Sequence, residues 1–245
     1  MLLRRGALPK TETASVPPLY AGDHLSQPEF HRRYEQYTDD VKIELINGTV
    51  YMASPQRLPH GRYTTKLASL LDQYEAQTPG VEAANDSTVF LGPKSEPRPD
   101  LFLRVLNELG GNTRTVDEYV YGGPELIIEV APSTVAIDLH QKKDDYERCG
   151  VAEYLVVCLE ECQVCWFDLA NGRTPSVPAD GILRSKRFPG LWIDTQALFR
   201  GDSKRMAQIL NEGLASPEHD RFVRRLGKAA ETNAKRKKRP RRNGQ

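Results

Sequence analysis

Residues 125–131 have the sequence ELIIEVA and decide the fold class, because apolar side chains occupy both alternating faces of this predicted strand. A strand of this kind lies inside a sheet that is covered on both sides. Glu129 interrupts the pattern near the carboxyl end, and a carboxylate in an apolar strand is costly unless it is paired or binds a cation. Solvation beyond the covered part of the strand is the alternative for Glu129.

The segments before this strand alternate between helix and hairpin patterns. Apolar spacing predicts helices over residues 28–37 and 62–76. Between them, residues 42–46 and 49–53 flank Asn47-Gly48, the pair typical of a tight hairpin turn. The pattern therefore predicts two helices that enclose a β-hairpin.

The later segments complete a mixed sheet. Further strands are expected at 87–91, 99–105, 153–158, 163–168 and within 180–196, a surface loop at 106–124, and helices at 138–148, 203–215 and 218–228. This order predicts an α/β (α+β) fold in which helices flank a central mixed β-sheet.

The chain of 245 residues has the length of one domain with extensions. We expect a flexible segment over 1–25, the domain over 26–228 and a disordered basic tail over 229–245. Seven basic residues lie in KRKKRPRR (235–242), and the net charge of the rest is about −6, from 27 basic and 33 acidic residues. The body of the chain is therefore unlike a protein that coats DNA.

Composition excludes several classes of protein. No apolar run reaches the roughly 20 residues that a membrane span needs, and the charged start lacks the apolar core of a secretory signal. With four cysteines and no such signal, the chain is expected to be cytoplasmic, with reduced thiols.

The sequence points to a pair of carboxylates. Asp100 stands at the start of one predicted strand and Glu129 near the end of the next, so adjacent strands would bring them within a few ångström. A turn or cap aspartate is the alternative for Asp100. Two such oxygen ligands suit Mg²⁺ or Mn²⁺, which polarises a phosphoryl group and activates an attacking water.

Other polar residues could complete this site. Asp138, Lys142 and Tyr146 are spaced four residues apart and share a helix face, although a solvated helix shows the same spacing. Lys142 could orient the water or stabilise transition-state charge. Glu44 shares a face of the hairpin with Ile46, so if Ile46 points to the core Glu44 could be a third carboxylate. His60 either contacts the substrate or caps a helix.

The chain resembles the Uma-type endonuclease family, formerly a domain of unknown function, in the restriction-endonuclease-like PD-(D/E)XK superfamily. The resemblance spans about residues 26–226. It rests on the order and spacing of these segments: 43–50, His60-Gly61, Pro99-Asp100, 125–131, 138–142 with Tyr146, 150–157 and 188–192.

The resemblance implies a divalent-metal endonuclease, with Asp100 and Glu129 as metal ligands and Lys142 and Glu44 as further catalytic residues. His60 and Tyr146 are the candidate substrate-binding residues. The superfamily pattern places a lysine two residues after the glutamate, where this chain has Ala131, and the resemblance transfers that role to Lys142. The implied partner is nucleic acid, most simply DNA, and the chain is a possible homodimer.

Two other hypotheses remain open. The first is an inactive nuclease fold that serves as a nucleic-acid or protein binding module, which Ala131 would favour. The second is a zinc- or redox-linked regulatory protein built on Cys158, Cys162 and Cys165, with Cys149 as a fourth thiolate. The basic tail either contacts phosphates or is a solvated run of charge.

Overall fold

The centre of the fold is a five-stranded mixed sheet, seen in a computed structural model that describes residues 16–37, 41–131, 136–174 and 176–238. Side by side, its strands are β10 (Gln163–Asp168), β9 (Glu153–Cys158), β8 (Leu126–Ala131), β5 (Leu101–Val105) and β3 (Val81–Asn85). Strands β8 and β9 run parallel, and the other neighbouring pairs are antiparallel. The mixed α/β fold class predicted from the sequence is confirmed.

Strand β8 lies in the middle of this sheet, and all its residues are buried. Leu126 and Ile128 face one apolar cluster, whereas Ile127 and Ala131 face a second cluster on the opposite side. Both faces of the sheet are therefore covered, as the apolar run in residues 125–131 predicts.

Helices pack on both sides of the sheet. Their bounds are α1 (Gln27–Tyr34), α2 (Leu58–Ala76), α3 (Lys143–Arg148), α4 (Thr195–Arg200), α5 (Ser203–Leu214) and α6 (Pro217–Lys238), and a π-helical turn, Ile137–Lys142, leads into α3. Helix α2 buries Leu67, Leu70 and Tyr74 on one stripe against the sheet. None of the helices in the described part of the chain is long and apolar enough to cross a membrane.

A hairpin of β1 (Ile43–Ile46) and β2 (Thr49–Met52) lies beside the main sheet. Its turn residues have positive φ angles, 49° at Asn47 and 82° at Gly48. A tight hairpin turn requires this conformation at both positions, which explains why Asn-Gly predicts it correctly.

The region 106–124 was expected to be a surface loop, and this prediction is wrong. It contains β6 (Arg114–Val116) and β7 (Tyr119–Tyr121), which form a three-stranded sheet with β4 (Val89–Phe90). The turn between β6 and β7 is Asp117-Glu118, both with positive φ, and without glycine it gives no hairpin signal in the sequence.

Some element bounds also differ from those expected. Strand β3 was missed because its alanines favour strands weakly. The 180–196 segment resolves into an antiparallel pair, β11 (Ile182–Arg184) and β12 (Trp192–Asp194). Helix α2 begins at Leu58, four residues before the expected start, so His60 lies within its first turn.

The described parts of the two predicted terminal segments, residues 16–25 and 229–238, are more ordered than expected. Within the predicted flexible segment, Leu19 is buried, and backbone hydrogen bonds tie Gly22 to Val50 and Leu25 to Gly48 of the hairpin. At the other end, α6 continues to Lys238, where disorder was expected from Ala229, because the Ala-, Lys- and Arg-rich sequence favours helix. Residues 1–15 and 239–245 of the two predicted terminal segments lie outside the described residues.

Candidate active site

The register of two central strands brings Asp100 and Glu129 together. Leu101 of β5 pairs with Ile128 of β8 in an antiparallel ladder, so the next position places Asp100 beside Glu129. The backbone N–H of Asp100 donates to Oε2 of Glu129 at 3.3 Å, and the N–H of Val130 donates to Oδ2 of Asp100 at 2.9 Å. The two carboxylates lie at one end of central strands, not at an edge of the sheet.

Lys142 joins this pair from the π-helical turn. Its Nζ lies 2.9 Å from Oε1 of Glu129, 3.0 Å from Oε2 of Glu44 and 3.6 Å from Oδ1 of Asp138. The hydroxyl of Tyr146 donates to the same Glu129 oxygen at 2.9 Å. The face shared by Asp138, Lys142 and Tyr146 is therefore buried in the site, and its spacing does not reflect a solvated helix.

The crossover from β8 also accounts for the alanine at position 131. Ala131 is fully buried in the apolar cluster that also contains Ile127 and Tyr146, so a lysine at this position would place its stem among apolar side chains. The following turn delivers the Lys142 ammonium to Glu129 instead. A π-helical turn carries an extra residue per turn, and such turns are frequent at functional sites.

Two further side chains hold Asp100. His60 Nε2 lies 2.9 Å from its Oδ2, and Lys42 Nζ lies 2.9 Å from its Oδ1. An ionised carboxylate only accepts hydrogen bonds, so Nε2 is the protonated ring nitrogen of His60. His60 thus faces the site from the first turn of α2 and is not simply a cap.

Lys42 is a site residue that was not predicted from the sequence. Strand alternation places Lys42 on the same face as Glu44 and Ile46, so the signal was the pattern already used for Glu44. Glu44 is buried as that pattern predicts, and its Oε1 accepts the backbone N–H of Arg98 at 2.8 Å. The hairpin therefore contributes one carboxylate, and the residue just before it contributes one cation.

Neighbouring cations keep two of the buried carboxyl groups ionised. Burial acts to raise the pKa of Asp100, but His60 and Lys42 outweigh it and hold that pKa well below its usual value. Burial is likewise outweighed at Glu44, where Lys142 and Lys42 lower the pKa. Both groups are therefore anions at neutral pH.

Glu129 has the opposite balance. Burial raises its pKa to about 8; Lys142 acts against that rise, and the negative charge of Asp100 adds to it. Lys142 itself has a raised pKa, because Glu129 and Glu44 outweigh the effect of burial. Glu129 is therefore the carboxyl group whose ionisation an additional cation would favour most.

The donor set fits a hard divalent cation. Four carboxyl groups, on Glu44, Asp100, Glu129 and Asp138, face two lysines, which leaves an excess of negative charge when all four are ionised. The described residues contain no group of three or more His, Cys, Asp or Glu side chains arranged to hold a metal ion. Mg²⁺, however, commonly uses one or two carboxylates and completes its shell with water and phosphate oxygens.

A cavity of about 600 Å³ opens onto these side chains. It is lined by site residues and by the connection between β2 and α2, including Gln56 and Arg57. A second cavity of about 450 Å³ shares Lys42, His60 and Asp100 with the first. The carboxylates therefore lie at the floor of a continuous depression.

The cysteines form no comparable site. The thiols are free, and Cys158 is buried while Cys162 is exposed. Cys158 and Cys165 lie on neighbouring strands, but the described residues hold no metal-binding cluster that includes them. The geometry therefore gives no support to the zinc hypothesis.

Comparison with known proteins gives the family and the fold of this chain. The family model described as "Uma2: Putative restriction endonuclease" matches residues 28–196, and the chain belongs to this family. Among solved structures, the fold is similar to a putative nuclease of DUF820 from Anabaena variabilis ATCC 29413, with a TM-score of 0.58 and 14% identity over 72% of this chain and 98% of that chain. A comparison with curated proteins gave no match. Family and fold together define the chain as nuclease-like.

Proposed function

We propose that this protein is an endonuclease that hydrolyses phosphodiester bonds of DNA with the help of a divalent metal ion. The observation that carries the proposal is the buried contact of Lys142 with Glu129 and Glu44, beside Asp100. Burying this many charges is costly for stability, and a site for a metal ion and a phosphate gives a reason to retain them.

Asp100 and Glu129 would hold Mg²⁺ or Mn²⁺, since they are adjacent and open to the cavity. The bound ion would polarise the phosphoryl group and lower the pKa of the attacking water. The ion would favour the ionised form of Glu129 most, because burial raises the pKa of this ligand and a nearby positive charge lowers it again.

The remaining side chains have separate roles. Lys142 stabilises the negative charge that develops on the phosphate, and Glu44 and Tyr146 hold the Lys142–Glu129 pair in place. His60 and Lys42 orient Asp100 and face the bound substrate from the other side. Homodimerisation and a cytoplasmic location stay predictions from the sequence.

The test is cleavage of labelled DNA and RNA by purified protein with Mg²⁺ or Mn²⁺. We expect Asp100→Asn and Glu129→Gln each to lower the cleavage rate by about 100-fold or more, as loss of a catalytic electrostatic group does. Glu161→Gln is the matched control, because Glu161 is exposed and lies outside the cavity. Cleavage that survives in both site variants would contradict the proposal.

The binding-module hypothesis makes a different prediction for the same experiment. It expects wild-type protein to bind nucleic acid without cutting it under any metal condition. The absence of a lysine at position 131 no longer favours it, since Lys142 reaches the same carboxylate at 2.9 Å.

A further inference from the structure

Three neighbouring strands of the main sheet carry acidic residues in a row at one end. Asn85 of β3 pairs with Leu101 of β5. The next position of this ladder places Asp86 beside Asp100, and the backbone N–H of Asp86 donates to the carbonyl oxygen of Asp100 at 3.1 Å. Asp100 lies in turn beside Glu129 of β8. The three acidic residues therefore follow one another across the sheet, at the strand spacing of about 4.8 Å.

Each of these three carboxylates pairs with a cation. The carboxylate on β8 contacts Lys142. Lys42 Nζ lies 2.9 Å from Oδ1 of Asp100 and 4.0 Å from Oδ1 of Asp86, and Nη2 of Arg98 lies 2.7 Å from Oδ2 of Asp86. We call Lys142, Lys42 and Arg98 the cation row. The backbone of a nucleic acid is a row of charges of the opposite sign, so the cation row has the charge pattern that such a backbone requires.

The cation row extends through both cavities. Lys142 lines the larger cavity, Lys42 lines both, and Arg98 lines the second cavity of about 450 Å³. Of the two proposed metal ligands, Asp100 lines both cavities and Glu129 lines the larger one. The second cavity therefore extends from the metal ligands toward β3, the edge strand of the sheet.

The two cavities differ in charge. The larger cavity is lined by five acidic residues and by three Lys and Arg residues, which suits a metal cation. The second cavity is lined by two acidic residues and by two Lys and Arg residues, together with the amide side chains of Gln56 and Asn85. Without an excess of acidic residues, and with amide groups that donate hydrogen bonds, the second cavity suits a phosphate.

The guanidinium group of Arg98 is held in position at this cavity. Its Nε donates to the carbonyl oxygen of Asp86 at 3.1 Å, and its Nη2 donates to the carboxylate of the same residue. The backbone N–H of Arg98 donates to Glu44 in the site. The Asp86 side chain is 48% exposed, and an ion pair with so exposed a partner is weak. A phosphate, which guanidinium groups bind strongly, competes readily with such a carboxylate.

We propose that the second cavity binds the phosphate next to the scissile phosphate along the same strand, through Arg98 and Lys42. This inference rests on the proposed function and deepens it, because it states where the nucleic acid backbone runs: from the metal ligands, across β5, to the edge of the sheet at β3. Arg98 is then a substrate-binding residue that does not touch the reacting phosphate.

The test measures binding of a labelled DNA duplex to full-length protein by fluorescence polarisation, over a range of salt concentrations. Ca²⁺ replaces the catalytic ion, since it also prefers oxygen ligands. We expect Arg98→Gln to bind about fivefold more weakly, with a slope of log affinity against log salt reduced by about 1. Arg184→Gln is the matched control, because Arg184 pairs with Asp180 at the same 2.7 Å but lines neither cavity.

A second variant separates phosphate binding from a purely structural role of the ion pair. Asp86→Asn breaks the same pair as Arg98→Gln, but it removes a negative charge from the cavity instead of a positive one. We therefore expect Asp86→Asn to bind the duplex about threefold more tightly. If the pair served only to hold the turn after β3, both variants would change the affinity in the same direction.

The possible outcomes separate the inference from the proposed function. Unchanged affinity and slope in an Arg98→Gln protein that retains its thermal unfolding temperature overturn the inference, and so does weaker binding by Asp86→Asn. Either result leaves the nuclease assignment intact. Because the measurement involves no cleavage, a protein that binds as expected but cuts no nucleic acid with Mg²⁺ or Mn²⁺ contradicts the proposed function and supports the binding site. Failure of the wild-type protein to bind the duplex overturns the inference.

Discussion

At the scale of single residues, buried ionisable groups have different roles in different parts of this protein. Lys142 and its carboxylates lie beside a cavity, where charge is available to a ligand. Glu153 is fully buried elsewhere, with its carboxylate bound by Ser185 Oγ and the backbone N–H of Lys186 at 2.8 Å. Such a group has a structural role, and the free-energy cost of burying its charge lowers the stability of the protein.

We predict that Glu153 makes stability depend on pH. Burial raises its pKa in spite of its hydrogen bonds, so the stability linked to this group is complete below its unfolded pKa of about 4.5 and is lost as pH rises through its folded pKa. Glu153→Gln retains the shape without the charge. Between pH 4.5 and pH 7, the free energy of unfolding of this variant, measured in urea, should increase relative to that of wild type. A difference between the two proteins that stays constant over this range would contradict the explanation.

For Lys142 we predict that removal of the charge destabilises the protein. Lys142→Met leaves Glu129 and Glu44 buried without their shared cation, and breaking a buried pair in this way costs about 3–5 kcal/mol. The loss should be measurable as a lower midpoint of urea unfolding at neutral pH. Lys66→Met is the control, since the ammonium of half-buried Lys66 hydrogen-bonds the Gly201 carbonyl and the Ser203 hydroxyl at the protein surface.

At the scale of elements, the hairpin matters because it carries Glu44 into the site and lies directly after Lys42. Its turn was predictable, since Asn47-Gly48 has a strong local signal, and so was the central strand β8. The turn at Asp117-Glu118 and the alanine-rich β3 were not, because tertiary contacts stabilise them against weak local preference. Within the site, alternation and helical spacing predicted Glu44, Lys142 and Tyr146, but neither signal specifies which charges meet.

We predict that Gly48→Ala destabilises the protein by about 1–2 kcal/mol, because alanine is disfavoured at positive φ. Gly48 has a φ of 82°, and an added Cβ would lie 3.4 Å from the carbonyl oxygen of Leu25. Gly227→Ala is the control, with open space around it in α6, and should be neutral or slightly stabilising. Thermal unfolding measures both; equal melting temperatures would mean that the turn is not strained.

At the scale of the whole molecule, charge is divided between an acidic body and a basic end. The seven basic residues of 235–242 follow Ala234 at the end of a helix that packs against α5. The helix also contacts the 107–109 turn, which follows the carboxyl end of β5, whereas the site lies at the amino end of that strand. Helix α6 therefore meets the end of β5 that lies opposite the site.

We predict that truncation after Ala234 weakens binding of nucleic acid and reduces its dependence on salt. Each lost phosphate contact lowers the slope of log affinity against log salt by about 0.7–0.9. The measurement is a salt titration of binding for the full-length and truncated proteins. An unchanged slope would identify the basic end as a solvated run of charge.

The proposed catalytic groups come from four stretches of chain: the hairpin, the start of β5, strand β8 and the crossover after β8. No fragment that ends before Lys142 contains the whole set. Under the proposed function, a chain growing on the ribosome therefore cuts no nucleic acid until most of the sheet has emerged. The proposed nuclease activity then requires the assembled sheet, so its onset in a refolding experiment would report that assembly.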